Sequence, residues 1–240
     1  MELDVRADGR SPNQLRPLTF SRNLLNRAHG SARWSQGDTI VLAGVYGPKA
    51  GTKKGENPEK ASIEVIWKPK TGQAGKQEKE YEIILRKTLQ SICLLTVYPN
   101  TTTSVIVQVA GDDGGLFPCA VNASCAALVD AGIPLKHFAV SVCCGLTASG
   151  SVFLDPTILE AKKMEAILHL VFPNPPLYSC PKPQTPMTEE PVDQGIITSV
   201  TYGVMLEKDY FHCIERGHAA CAKISEFVRK SFTSQTNRGS

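Results

Sequence analysis

Three stretches of this 240-residue chain carry residue types that could handle phosphate or protons. The first is GDDGGLFPCA, residues 111–120, lying between a β-branched run and a helix-like run of small residues. Its paired glycines, Gly114 and Gly115, sit at a strand-to-helix turn, where backbone N–H groups and a helix N-terminus can face an anion. Yet no lysine or arginine stands in that turn or in the run behind it. Backbone donors alone bind phosphate weakly. The turn therefore reads either as a phosphate cradle without its cation or as glycines kept for their geometry. The second stretch, LDPTILEAKKMEAI, holds Asp155, Glu160 and Glu165, which could serve as acid, base or divalent-ion ligand. On a helix Glu160 and Glu165 would lie about 140° apart and would not converge. The third, WKPKTGQAGKQEK, crowds Lys68, Lys70, Lys76 and Lys79 around Gln77 and beside Trp67. Clustered cations follow a phosphate backbone whatever its sequence, and an adjacent aromatic can stack on a base. A solvated loop beside a core tryptophan would read the same way.

Arginines are dense at the start: Arg6, Arg10, Arg16, Arg22, Arg27 and Arg33. They suit phosphate contacts, a solvated face, or salt bridges across a subunit interface. The five histidines have no ligand spacing, and no metal site is assigned. The net charge of +3 neither demands nor excludes a nucleic-acid partner, so the placement of charge decides. No apolar run approaches the roughly 18 residues of a membrane span, and MELDVRADGR has no signal-peptide apolar region. None of the eight cysteines forms a CxxC pair. They read as buried reduced thiols, the expectation for an intracellular protein.

The elements that must position these residues follow from periodicity. GSARWSQGDTIVLAGVYGP reads as a hairpin of strands near 32–35 and 39–46, ending at a Gly-Pro stop. Residues 49–60 read as a loop and 61–68 as a strand. Ile84, Leu85, Thr88, Leu89, Ile92 and Leu95 form a helical stripe over 81–98. TTTSVIVQVAG is strand-like, and 120–130 reads as a helix whose small side chains allow close packing on a sheet. Strands are expected at 138–146, 151–154 and 166–172, with another in GIITSVTYGVM. A terminal helix over roughly 207–231 would bury Phe211, Ile214, Cys221, Ile224 and Val228. Seven prolines mark 173–194 as an extended loop, and 233–240 reads as a loose tail. The pattern fits one α+β domain over 1–240.

Two long stretches carry a resemblance. DGRSPNQLRPLTFSRNLLNRAHGSARWSQGDTIVLAGVYGP resembles the opening of the RNase PH family, with its Arg-rich segment, GSA, GDT and apolar strand. VQVAGDDGGLFPCAVNASCAALVDAGIP resembles that family's strand, DGG turn and following helix. The likeness runs in order through most of residues 6–170. It is nearer to the RNase PH-like ring subunits of the eukaryotic RNA exosome than to bacterial RNase PH. The resemblance implies an RNase PH-like domain of βαβ layers (ribosomal protein S5 domain 2-like), pairing into dimers that build a six-membered ring. It implies RNA and other RNase PH-like subunits as partners, with a homodimer open, no membrane, and residence in nucleus, nucleolus and cytoplasm. Catalytic relatives use inorganic phosphate as co-substrate to release nucleoside diphosphates, and Mg2+ is a further candidate.

Matched residue by residue, the resemblance also implies a damaged site. Active relatives read DGGTR at the turn, and here Leu116 and Phe117 stand at the Thr and Arg positions. Lys76 and Gln77 fall at or within a residue of a second phosphate-site arginine of the family. Asp155 and Glu160 match acidic positions, while the two aspartates that matter most fall on Ala161 and Ile167. Glu160 and Glu165 lie a residue or two away. The expectation is an exosome core subunit in 3′–5′ RNA processing and degradation with weak or absent phosphorolysis. The alternative is a self-sufficient homodimeric nuclease acting on RNA or DNA by residual phosphorolysis or metal-assisted hydrolysis.

Overall fold

The computed structural model describes residue 6 and residues 8–50, 58–174 and 195–236. Five strands form one sheet in the order β1-β2-β3-β5-β4: β1 Leu18–Arg22, β2 Gly30–Gln36, β3 Thr39–Ala50, β4 Ser62–Lys68 and β5 Thr101–Gly111. All pair antiparallel except β4 with β5. A parallel pair needs a crossover, and helix α1, Lys76–Ile92, supplies it. Four antiparallel strands form the second sheet, in the order β7-β6-β8-β9: β6 Phe138–Leu146, β7 Val152–Leu154, β8 Ala166–Asn174 and β9 Thr198–Gly203.

Helix α2, Leu116–Asp130, is the centre of the domain, buried from Phe117 to Leu128 and packed on β2 and β3 to one side and β6 to the other. Its alanines and cysteines allow the close packing expected of small side chains. A Cβ on Gly30 of β2 would meet the Ala131 nitrogen at 2.2 Å, so no larger residue fits there. The Asn122 amide is buried on α2 but satisfied, since it donates to Ser141 O (3.1 Å) and accepts from Ser141 N (2.8 Å) of β6. The last helix, α4, Glu207–Thr236, covers the opposite face of the second sheet through Cys213, Ala220, Cys221, Ile224 and Val228. Its final turns reach the first sheet, where Phe227 meets Trp34 and Phe232 meets Phe20 at 5.8 and 5.0 Å between ring centres.

Several boundaries differ from expectation for physical reasons. Helix α2 begins four residues early because Pro118 lies in its first turn, where the missing N–H has no intrahelical partner to lose. Helix α1 begins at Lys76 and ends at Ile92, since its polar first turn faces solvent and adds nothing to an apolar stripe. Strand β3 continues through a cis Gly47–Pro48 bond and a register shift to Ala50, instead of stopping at Gly-Pro. Phe211 is 58% exposed, so it is not part of the buried stripe of α4. Strand β8 takes in residues 173 and 174, while the rest of the expected proline-rich loop, 175–194, lies outside the described residues. Helix α4 runs into the expected tail as far as Thr236, and 237–240 lie outside the described residues. Seven cysteines are free and buried, and burial raises their thiols, Cys93 and Cys125 to about 12 and Cys213 to about 11. Cys180 falls in the undescribed segment.

Candidate functional site

The glycine turn closes β5 onto α2. Gly114 and Gly115 both have left-handed backbone, at φ 87° and 64°. A Cβ on Gly114 would press to 2.7 Å from Pro156 O, so only glycine serves there. Gly114 N donates to Asp112 Oδ1 at 3.0 Å, and Asp113 O accepts from Ile158 N at 3.2 Å, which ties the turn to the short helix α3, Ile158–Ala161.

A cation does reach this turn, from a direction the local sequence does not reveal. Arg16 lies beneath it and uses all five of its N–H donors internally. Two form a fork on Asp155, Nε to Oδ2 at 2.9 Å and Nη2 to Oδ1 at 2.6 Å. The others reach Gly114 O (2.9 Å), Asp113 O (2.7 Å) and the neighbourhood of Thr39 Oγ1 and Asp113 Oδ2 (both 3.3 Å). Burial would lower the Arg16 pKa, but the hydrogen bonds and charge of Asp155 prevail and raise it. Arg16 therefore braces the turn from inside and offers no donor to a ligand.

The predicted carboxylates are held in the same way. Asp155 is 1% exposed, sits at φ 51°, and accepts the Arg16 fork and the Arg16 backbone N–H at 2.9 Å. Glu160 receives a second fork from buried Arg6, at 2.8 and 2.7 Å. It also closes a capping box with Thr157 at the start of α3. Burial raises the Glu160 carboxyl, but Arg6, the Thr157 N–H and Arg10 outweigh it and hold the group below its ordinary range. Glu165 stands apart and exposed, on the rim of a cleft of about 800 Å³ lined by Leu146, Val204, Leu206 and Lys208. The three acids thus do not form one site. Among the described residues no group of three or more His, Cys, Asp or Glu side chains is arranged to hold a metal ion, and the acids do not fit Mg2+.

The basic stretch is different. Lys68 lies at the end of β4, Lys70 in the loop, and Lys76, Gln77 and Lys79 in the first turn of α1, all five exposed. Among the described residues none of these four lysines has an ion-pair partner. Trp67 is 3% exposed and packs in the core, so it cannot stack on a base. Beneath Gln77 runs a column of rings: Trp67 to Tyr81 at 5.5 Å, Tyr81 to Phe117 at 5.4 Å, and Phe117 to His169 at 5.6 Å. Phe117, which the resemblance sets at the family's arginine position, is 1% exposed and is a core residue. The column joins the start of α1 to the glycine turn, bringing two of the three predicted stretches together. Tyr81 and His169 carried no motif in the sequence; the one signal was a lone histidine inside the apolar run AILHLV. Burial lowers the His169 pKa to about 4, and among the described residues its Nδ1 has no hydrogen-bond partner.

Comparison with known proteins agrees with this architecture. Residues 14–134 match the model of the 3′ exoribonuclease family, domain 1, RNase PH. The chain is 64% identical over 238 residues to the exosome complex exonuclease RRP46 homolog of Arabidopsis thaliana, covering 99% of both chains. The Oryza sativa homolog is likewise 64% identical, over 97% of both. The crystal structure of rice Rrp46 superposes with a TM-score of 0.83 at 63% identity, over 94% of this chain and 99% of that one. A chain of the Archaeoglobus fulgidus exosome, solved with RNA bound to the active site, shares the fold alone, with a TM-score of 0.74 at 19% identity over 93% and 92% of the two chains. With its glycine turn, crossover helix and paired sheets, the chain belongs to the RNase PH family of 3′ exoribonucleases.

Proposed function

We propose that the chain is a core ring subunit of an RNA exosome, acting in 3′–5′ RNA processing and degradation alongside other RNase PH-like subunits. Near-full-length identity to the plant RRP46 homologs supports this assignment. Its contribution is to bind RNA and to scaffold the ring, with phosphorolysis weak or absent. The observation that carries the second half is Phe117, a buried ring where a phosphate-binding cation would be needed. Backbone N–H groups at Leu116 and Phe117 remain, but without a charge-assisted partner they hold phosphate poorly. Asp155 and Glu160, neutralised by Arg16 and Arg6, act as anchors of the N-terminal segment and do not handle a substrate proton. Lys76 and Gln77, with Lys68, Lys70 and Lys79, line the RNA path as cations unpaired among the described residues and an exposed amide. Any phosphorolysis draws on inorganic phosphate as co-substrate. The chain acts in the nucleus, nucleolus and cytoplasm, and pairs through an RNase PH-type interface with a related subunit or a second copy.

Incubation of the purified chain with 3′-labelled RNA, with and without phosphate, tests the proposal. Retained RNA with little or no nucleoside diphosphate is the expected result. Phosphate-dependent release of nucleoside diphosphates at the pace of an active phosphorylase would overturn it, and EDTA-sensitive release of monophosphates would favour hydrolysis by a self-sufficient nuclease.

A further inference from the structure

Gln77 is exposed beside Lys76, yet its amide is not free to rotate. Its Nε2 donates to the Tyr81 hydroxyl at 2.8 Å, one helical turn further along α1. Tyr81 itself is 7% exposed and wedged between Trp67 and Phe117, with His169 edge-on at 6.3 Å between ring centres. A ring confined on three sides cannot follow the glutamine, so the glutamine must follow the ring. Burial, ahead of a contribution from Tyr202, holds the phenol well above its ordinary range and therefore neutral. A side-chain amide carries its nitrogen and oxygen in one plane, about 120° apart on either side of the Cγ–Cδ bond axis. With the nitrogen turned in to Tyr81, the carbonyl Oε1 of the exposed Gln77 is left for another donor.

We propose that Tyr81 is a positioning residue which presents the Gln77 carbonyl to a ribose 2′-hydroxyl, so that the pair distinguishes RNA from its deoxy counterpart. The inference rests on the assignment of Lys76 and Gln77 to the RNA path. A carbonyl oxygen accepts hydrogen bonds and repels a phosphate oxygen, which is also an acceptor. A 2′-hydroxyl donates, and it is the group that separates RNA from DNA at a given position. Lys76 attracts both backbones alike. The lysine thus supplies attraction without preference, and the clamped amide supplies preference.

The test measures binding of the full chain to a labelled oligouridylate and to its 2′-deoxyuridine counterpart of equal length, by fluorescence anisotropy at one salt concentration. The native chain should favour the ribose form. Tyr81→Phe keeps the ring and removes the hydroxyl, and should lower the ribose-to-deoxyribose affinity ratio about three- to tenfold, the size of one net hydrogen bond. Gln77→Ala, at an exposed position, should lower it equally, and the double variant should add nothing further. A purely structural role for Tyr81 would weaken both ligands together and leave the ratio unmoved. An unchanged ratio in both single variants, with Lys76→Glu still weakening both ligands, overturns this inference and leaves the RNA path standing. No effect of Lys76→Glu on either ligand overturns the RNA path, and the inference with it.

Discussion

The first three arginines of the chain and the Lys-rich stretch that leads into α1 look interchangeable as strings of cations, and the fold uses them in opposite ways. Arg6, Arg10 and Arg16 turn inward onto Asp155, Glu160, Asp113 and Asp8, as a strap across β7 and the glycine turn. Lys68, Lys70, Lys76 and Lys79 stay outward and unpaired among the described residues. Side-chain chemistry explains the division. A guanidinium is planar, weakly hydrated and able to grip a carboxylate with two parallel N–H bonds, so it tolerates burial. An ammonium is strongly hydrated and remains at the surface unless forced in. Density of positive charge in a sequence therefore does not locate a nucleic-acid surface; charge left over after internal pairing does.

The most severe way to break this division is to remove a strap arginine. Arg16→Ala leaves the Asp155 carboxylate buried without its partner and should cost about 3–5 kcal/mol in urea unfolding. Adding Asp155→Ala should recover part of that loss, which a solvated arginine could not do. Phe117→Arg tests the other side of the same turn. If Phe117 were merely standing at a vacant phosphate site, the arginine would be tolerated and phosphate affinity would rise. In a ring column 1% exposed it should instead destabilise the chain by about 3 kcal/mol or more.

Acid separates the two regions by pH window. His169 is buried neutral with its folded pKa at about 4, below the ordinary 6.5 of the unfolded chain. The unfolded state binds the proton first, so stability is complete above pH 6.5 and falls as pH drops, by about 3 kcal/mol once pH passes below 4. Glu160 behaves as a paired carboxylate, with its folded pKa below 4.5, and its contribution is lost only as pH falls through that lower range. Replacement His169→Phe should therefore abolish the dependence between pH 6.5 and 4 and leave the strap's loss at lower pH in place. A slope unchanged in the variant would show that His169 is hydrated in the folded state. The smallest effect belongs to the lysines: Lys70→Ala or Lys79→Ala should change stability by no more than about 0.5 kcal/mol.

Local pattern made much of this legible. The glycine pair, the crossover helix, the apolar strands and the small-residue helix each follow from spacing within a dozen residues. The strap did not. Arg16 meets Asp155 across 139 positions of sequence, and Arg6 meets Glu160 across 154. No periodicity connects such pairs, so the sequence shows Asp155 and Glu160 as acids without the arginines that hold them. Trp67 beside the lysines suggested a stacking platform until strand alternation, which puts neighbouring residues on opposite faces, placed it in the core. Tyr81 was hidden because a tyrosine in a polar helix turn carries no motif, and its confinement arises from three rings contributed by three other elements.

If the outward lysines hold RNA and the arginine strap does not, the salt dependence of RNA binding must report it. The logarithm of affinity against the logarithm of salt concentration should be linear for the native chain, and Lys76→Glu should lower affinity and reduce the slope by about one unit for the lost phosphate contact. Arg10→Gln, within the strap, should leave the slope where it was. An unchanged slope in Lys76→Glu, or a reduced slope in Arg10→Gln, would show that RNA is not held by the outward lysines.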